Sequence, residues 1–175
     1  MAIKTIPNDI VAEQSVLGAM FLSPLAIEKA TDKLFAKSFY LEKHGIIFQA
    51  IVNLHDKKIP IDLTTITSEL TQTNKFNEVG GIEYLTELMN TVPTAANVEY
   101  YIQIVEDNYM LRSVIDTSTD IATLAYEHNG EVSDILDQVE SKIVGIIRNR
   151  RSSEFKSIQE VLNEVQVNLE KLASS

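Results

Sequence analysis

Three histidines, His44, His55 and His128, are the only imidazoles with which this 175-residue chain could ligate a metal or move a proton near neutral pH. His44 and His55 stand eleven residues apart with no His, Asp or Glu set at ligand spacing around them, and His128 falls in a turn. All three read as core or surface histidines. Asp62, ahead of Leu63-Thr64-Thr65, has the chemistry of a general base, but its position before an apolar-striped segment reads better as a helix cap. Gly18, Gly45, Gly80, Gly81, Gly130 and Gly145 form neither a dinucleotide nor a triphosphate loop. There is no G-x-S-x-G elbow and no cysteine, hence no disulfide framework and no thiol nucleophile. The 175 residues are therefore expected to carry no catalytic residue, cofactor or metal of their own.

What remains is a set of helices. Pro7-Asn8-Asp9 opens one that runs to about Leu22, with Leu17, Met20 and Phe21 facing inward. Gly18 inside it costs about 1 kcal/mol relative to alanine, which predicts that another backbone passes close by. Ser23-Pro24 sets a cap and a first-turn proline for a helix through Ile27 and Leu34. Lys37-Ser38-Phe39-Tyr40 reads as a turn whose two aromatics plug the core. His44, Ile47, Phe48, Ile51 and His55 mark the inner stripe of a third helix, ending before Lys57-Lys58-Ile59-Pro60. Asp62 caps a short helix with Leu63, Ile66 and Leu70, and Val79-Gly80-Gly81 opens another with Ile82, Tyr84, Leu85, Leu88 and Met89. No stretch alternates with the period of a strand, and no repeat is present.

Val98–Arg151 organises the rest: two apolar-striped segments joined at His128-Asn129-Gly130, with Asn97 as a cap for the first and Ser133 for the second. A two-helix hairpin cannot bury two such stripes alone, so it is expected to pack against a second copy. Val105, Leu111, Ile135, Val139, Ile143 and Ile146 are the expected pairing residues. The formal net charge of −10 opposes nucleic-acid binding through a broad basic face. Of that charge, −8 lies between Val98 and Ile147, where ten acids meet only Arg112 and Lys142. This is either a solvated face or a docking surface for a basic partner.

Asn149–Glu154 is polar and reads as a linker. Ser157-Ile158-Gln159-Glu160 then matches a capping box for an amphipathic helix, whose stripe of Ile158, Val161, Leu162, Val165 and Leu169 needs a surface to dock on. No apolar run reaches membrane-spanning length, and Met1-Ala2-Ile3-Lys4 lacks a signal-peptide core, so a cytoplasmic protein without a membrane partner is expected. The fold class is all-α: a compact helical globule over 1–97, a long antiparallel helical hairpin over 98–151, and a separate linker and C-terminal linker helix over 152–175.

Several blocks resemble, in order and spacing, the N-terminal domain and linker helix of bacterial DnaB-type replicative DNA helicases over residues 7–172. They are Pro7 with Ala12-Glu13-Gln14-Ser15-Val16-Leu17-Gly18, then Phe39-Tyr40, His44 and Ile47-Phe48, then Ile61-Asp62-Leu63-Thr64-Thr65. Val79-Gly80-Gly81 with Tyr84-Leu85, and Val92-Pro93-Thr94-Ala95-Ala96-Asn97-Val98 with Tyr101, complete the set. The resemblance implies a collar domain that pairs through its hairpin, builds a hexameric ring as a trimer of dimers, and docks the C-terminal domain of primase. It implies Tyr84, Ile115 and Ile121 as primase-docking residues, although Ile115 and Ile121 fit hairpin core equally well. It implies a parent protein whose motor, absent from these 175 residues, uses ATP and Mg²⁺, contacts most of the DNA and is placed by a helicase loader at the bacterial replication fork. The linker helix would dock on a neighbouring motor. Two rivals stand beside this reading: a stand-alone helical adaptor or dimerisation module without a motor, and a domain that binds single-stranded DNA directly, which the acidic balance opposes.

Overall fold

The computed structural model describes residues 4–149. Among them there is no strand. The order is α1 (Ile10–Leu22), α2 (Pro24–Lys33), a single 3₁₀ turn (Ala36–Ser38), α3 (Glu42–Asp56), α4 (Leu63–Gln72), α5 (Gly81–Met89), α6 (Val98–Glu127) and α7 over 132–149. The linker and the linker-helix residues Ile158, Val161, Leu162, Val165 and Leu169 lie outside the described residues.

Helix α1 starts where Asp9 caps it, the carboxylate accepting from the Ala12 N–H at 2.9 Å. Its sequence is largely apolar, and Ala12, Val16, Leu17, Ala19 and Met20 are all buried, while Ile10, Val11 and Leu22 near its ends are exposed. It packs against α2, α3 and α5. The close approach expected at Gly18 is there: a Cβ on this residue would lie 2.7 Å from the Leu88 carbonyl oxygen of α5. Gly45 plays the same part on α3, where a Cβ would lie 2.5 Å from the Ala36 carbonyl oxygen. Asp62 caps α4, accepting from the Thr64 and Thr65 N–H groups at 2.8 and 2.9 Å, while the Thr65 hydroxyl accepts from the Asp62 N–H. Its carboxylate is thereby committed to structure.

Some inward positions read from the pattern differ. Phe39 is buried, but Tyr40 is 40% exposed, so one aromatic plugs the core rather than two. On α3 the stripe closes with buried Leu54, and His55 is only half-buried. Ile82 points outward at 52% exposure.

Two compact units divide between Leu111 and Arg112, inside α6. The boundary expected at residue 97 moves because the first turns of α6 complete the core of the first unit. Val98, Ile102 and Val105 are buried there, the Lys29 ammonium meets the Glu99 carboxylate at 2.7 Å, and the Phe35 and Tyr109 rings meet edge to face at 5.1 Å. In the second unit the chain reverses at 128–130, where His128 and Gly130 take positive φ (24° and 107°). Lys142 on α7 reaches Asp120 on α6 at 3.6 Å, which fixes the two helices as antiparallel. The N–H groups of Asp134 and Ile135 both bond to the Glu131 carbonyl, so Glu131 stands at the start of α7 and Ser133, expected as its cap, lies within the first turn.

Candidate docking site

Tyr84 is the one expected docking residue in the first unit, and its surroundings are built by three helices. Gly80 and Gly81 turn the chain into α5 with φ of 97° and 65°, a region that side chains with a Cβ rarely adopt. A Cβ on Gly80 would also lie 3.0 Å from that of Tyr84. The first turn of α5 thus delivers Tyr84 to the first turn of α3. There its hydroxyl lies 2.6 Å from His44 Nε2 and 3.1 Å from Gln14 Nε2 of α1. His44 Nδ1 in turn meets a carboxylate oxygen of Glu13 at 2.5 Å.

The proton inventory closes. The ionised carboxylate only accepts, so His44 Nδ1 donates to it; the Tyr84 hydroxyl accepts from the Gln14 amide and donates to Nε2. The remaining capacity of Glu13 goes to the N–H of Tyr40 and, more weakly at 3.5 Å, to that of Leu41, just ahead of α3. That placement matters because Leu41, at the cap position of α3, has no side chain able to bond the helix end. Glu13 supplies an anion there from another helix, where the dipole favours one. Glu13 and His44 are 1% and 0% exposed. Polar groups at such depth persist only when hydrogen-bonded, as both are here.

A Glu-His-Tyr relay invites a catalytic reading, but this one has no open valence. The imidazole is sealed, and the tyrosine hydroxyl spends both its donor and an acceptor inside the protein. What reaches the surface is the ring of Tyr84. The Tyr84 and His44 rings lie within 8° of parallel with centroids 5.9 Å apart, joined tip to tip by the hydrogen bond rather than stacked face on face. One face of Tyr84 carries the ammonium of Lys43, 3.5 Å from the ring centroid. No cluster able to hold a metal exists among the described residues.

Ile115 and Ile121 lie on the second unit's part of α6, Ile115 45% exposed and Ile121 half-buried. Of the expected pairing residues, Leu111 (53%) and Ile143 (46%) are exposed, and Ile135, Val139 and Ile146 are half-buried. Val105 is different: at 2% exposure it belongs to the core of the first unit and cannot meet a second copy.

The carboxylate partner of His44 is 31 residues away in sequence, beyond any spacing rule. A signal for it did exist. Glu13 is the only charged residue in α1, a helix whose only other polar side chains are Gln14 and Ser15, and a lone acid on so apolar a helix needs a polar partner if it is buried.

The family described as the DnaB-like helicase N-terminal domain matches residues 5–107. The replicative DNA helicase DnaC of Bacillus subtilis is 45% identical over 166 residues, covering 95% of this chain and 37% of that protein. The replicative DNA helicase DnaB of Geobacillus stearothermophilus is 42% identical over the same shares. The crystal structure of the N-terminal domain of DnaB helicase from Mycobacterium tuberculosis superposes with a TM-score of 0.77 at 35% identity, over 81% of this chain and 99% of that one. A DnaB-like replicative helicase, solved with attention to its interactions with primase, gives 0.65 at 25% identity over 79% and 31%. The present chain thus spans little more than a third of its full-length relatives, and over that span it belongs to the DnaB-like helicase N-terminal domain family.

Proposed function

We propose that this chain acts as the N-terminal collar domain of a replicative DNA helicase, pairing with copies of itself and docking primase at the replication fork. The observation that carries the reading is the open hairpin. Over 112–149 no described residue is buried, and Val114, Ile115, Leu136, Ile143 and Ile147 are between 45% and 61% exposed. Two striped helices that leave this much aliphatic surface in water gain by packing against another such pair. Three dimers of this kind would make a hexameric ring. The parent protein would unwind DNA in the bacterial cytoplasm with a motor that uses ATP and Mg²⁺, placed on its substrate by a loader. Tyr84, Ile115 and Ile121 are the proposed contacts for the C-terminal domain of primase.

Sedimentation equilibrium of the 175-residue chain over a range of concentrations tests the pairing. A concentration-dependent dimer or larger oligomer is expected, shifted toward monomer by Ile143→Asp with helix content unchanged. A strict monomer at high concentration would overturn the pairing role. For docking, Ile121→Asp should weaken primase binding while leaving the helices intact, and unchanged affinity would remove Ile121 from the site.

A further inference from the structure

Resting on the docking reading above, we infer that Lys43 is a specificity residue of the Tyr84 surface, taking a carboxylate of the docked partner, and that Glu13 and His44 are the positioning residues that hold it in place. The argument begins with what Tyr84 has left to offer. Its hydroxyl is consumed by His44 and Gln14, and one ring face lies beneath the Lys43 ammonium. A partner approaching over that face meets a cation before it meets the ring.

Lys43 forms no ion pair among the described residues, as is also true of Lys4, Lys37 and Lys58, but its ammonium is the one placed over an aromatic ring among them. It also sits in the first turn of α3, at the helix end where the backbone dipole favours anions over cations. Glu13 already serves the backbone N–H groups at that end, and the Lys43 ammonium rests on the aromatic face, an attraction that grows as water is excluded. Docking supplies both missing parts: it removes water and brings the anion. The buried relay explains why the platform is rigid. Glu13 fixes the His44 ring, His44 and Gln14 fix the Tyr84 hydroxyl, and the ring then has one orientation in which to seat Lys43.

The test is titration calorimetry of the 175-residue chain with full-length primase from the same bacterium, at low and high salt, for Lys43→Met, Lys43→Arg, Tyr84→Phe and the Lys43→Met/Tyr84→Phe pair. Urea unfolding is followed for each variant. Lys43→Met should bind about tenfold more weakly or worse at low salt and lose most of the salt dependence, with stability unchanged. Lys43→Arg should recover binding to within about threefold, since the guanidinium also sits on aromatic faces. Tyr84→Phe keeps the ring but frees it from the relay. Its loss of affinity should largely vanish in the Lys43→Met background, a coupling that a merely structural role for the relay would not produce. Lys43→Met binding like the unsubstituted chain would overturn the Lys43 assignment, and strictly additive effects would overturn the positioning role. No binding by the unsubstituted chain would overturn the docking reading itself, and this inference with it.

Discussion

Replacing Gly18 with alanine sets two effects of opposite sign against each other, and the packing of α1 on α5 decides between them. Helix propensity alone favours the change by about 1 kcal/mol, because glycine in a helix interior sacrifices more backbone entropy than alanine. The new Cβ, however, would lie 2.7 Å from the Leu88 carbonyl oxygen and 3.3 Å from a methyl of Val92. The first of these is backbone and cannot rotate away. The same carbonyl accepts the Thr91 N–H at 3.1 Å, closing the end of α5, so a shift that relieves the clash strains that bond as well. Overpacking of this kind costs about 1–3 kcal/mol. A 2.7 Å approach to a backbone atom belongs in the upper half of that range, about 2–3 kcal/mol. With the propensity gain deducted, a net destabilisation of about 1–2 kcal/mol remains. Gly145 is the internal control: it lies within α7, and a Cβ there would meet nothing within 4 Å. Gly145→Ala should therefore raise helix stability by up to about 1 kcal/mol. Urea unfolding followed by far-UV circular dichroism reads both, and the Gly18→Ala midpoint should fall by roughly 0.5–1 M at an ordinary dependence on denaturant. A Gly18→Ala chain as stable as the parent, or more so, would refute the α1–α5 spacing described above.

Other outcomes follow from single contacts. Asp62→Ala removes an acceptor from two backbone N–H groups of α4 and should cost about 1 kcal/mol in urea unfolding, with Asp62→Ser recovering most of it. The Lys29 ammonium, chiefly by its hydrogen bond and then by its charge, holds the Glu99 carboxyl below the usual carboxylate range. Because the folded value is the lowered one, the contribution is complete above the unfolded carboxylate value and disappears as pH falls through the folded value. Glu99 is largely exposed and Lys29 more than a third exposed, so Lys29→Met should cost under about 1 kcal/mol near pH 7. The difference from the parent chain should vanish in strong acid and shrink in concentrated salt, and a difference that persists in acid would rule the pair out as its source.

Local chemistry was readable from the chain. Asp9 and Asp62 cap because a short acceptor precedes an apolar-striped segment, and no distant residue is needed for that bond to form. Gly18 announced a close approach because glycine weakens a helix interior unless its missing side chain admits a neighbour, although Gly145, with nothing near it, shows that the signal is not sufficient by itself. Periodicity was less informative about α6. Its stripe says which face is buried and nothing about what buries it, so Val105 looked like a pairing residue although the first unit's own core surrounds it. Ser133 illustrates a smaller failure: a residue of the right type two positions along is indistinguishable from a cap until the carbonyl that opens the helix is known.

The sequence by itself determined that this protein is helical, where most helices begin and end, and that its hairpin carries more apolar stripe than two helices can hide. These follow from interactions between residues a few positions apart. Only the tertiary structure decided that Glu13, His44, Tyr84 and Lys43 form one constellation. Three helices far apart in the chain must cross at one place for a lone acid, a sealed imidazole and a surface ring to meet. That crossing is set by the packing of the whole core around α1, a sum over many weak contacts that no local spacing encodes.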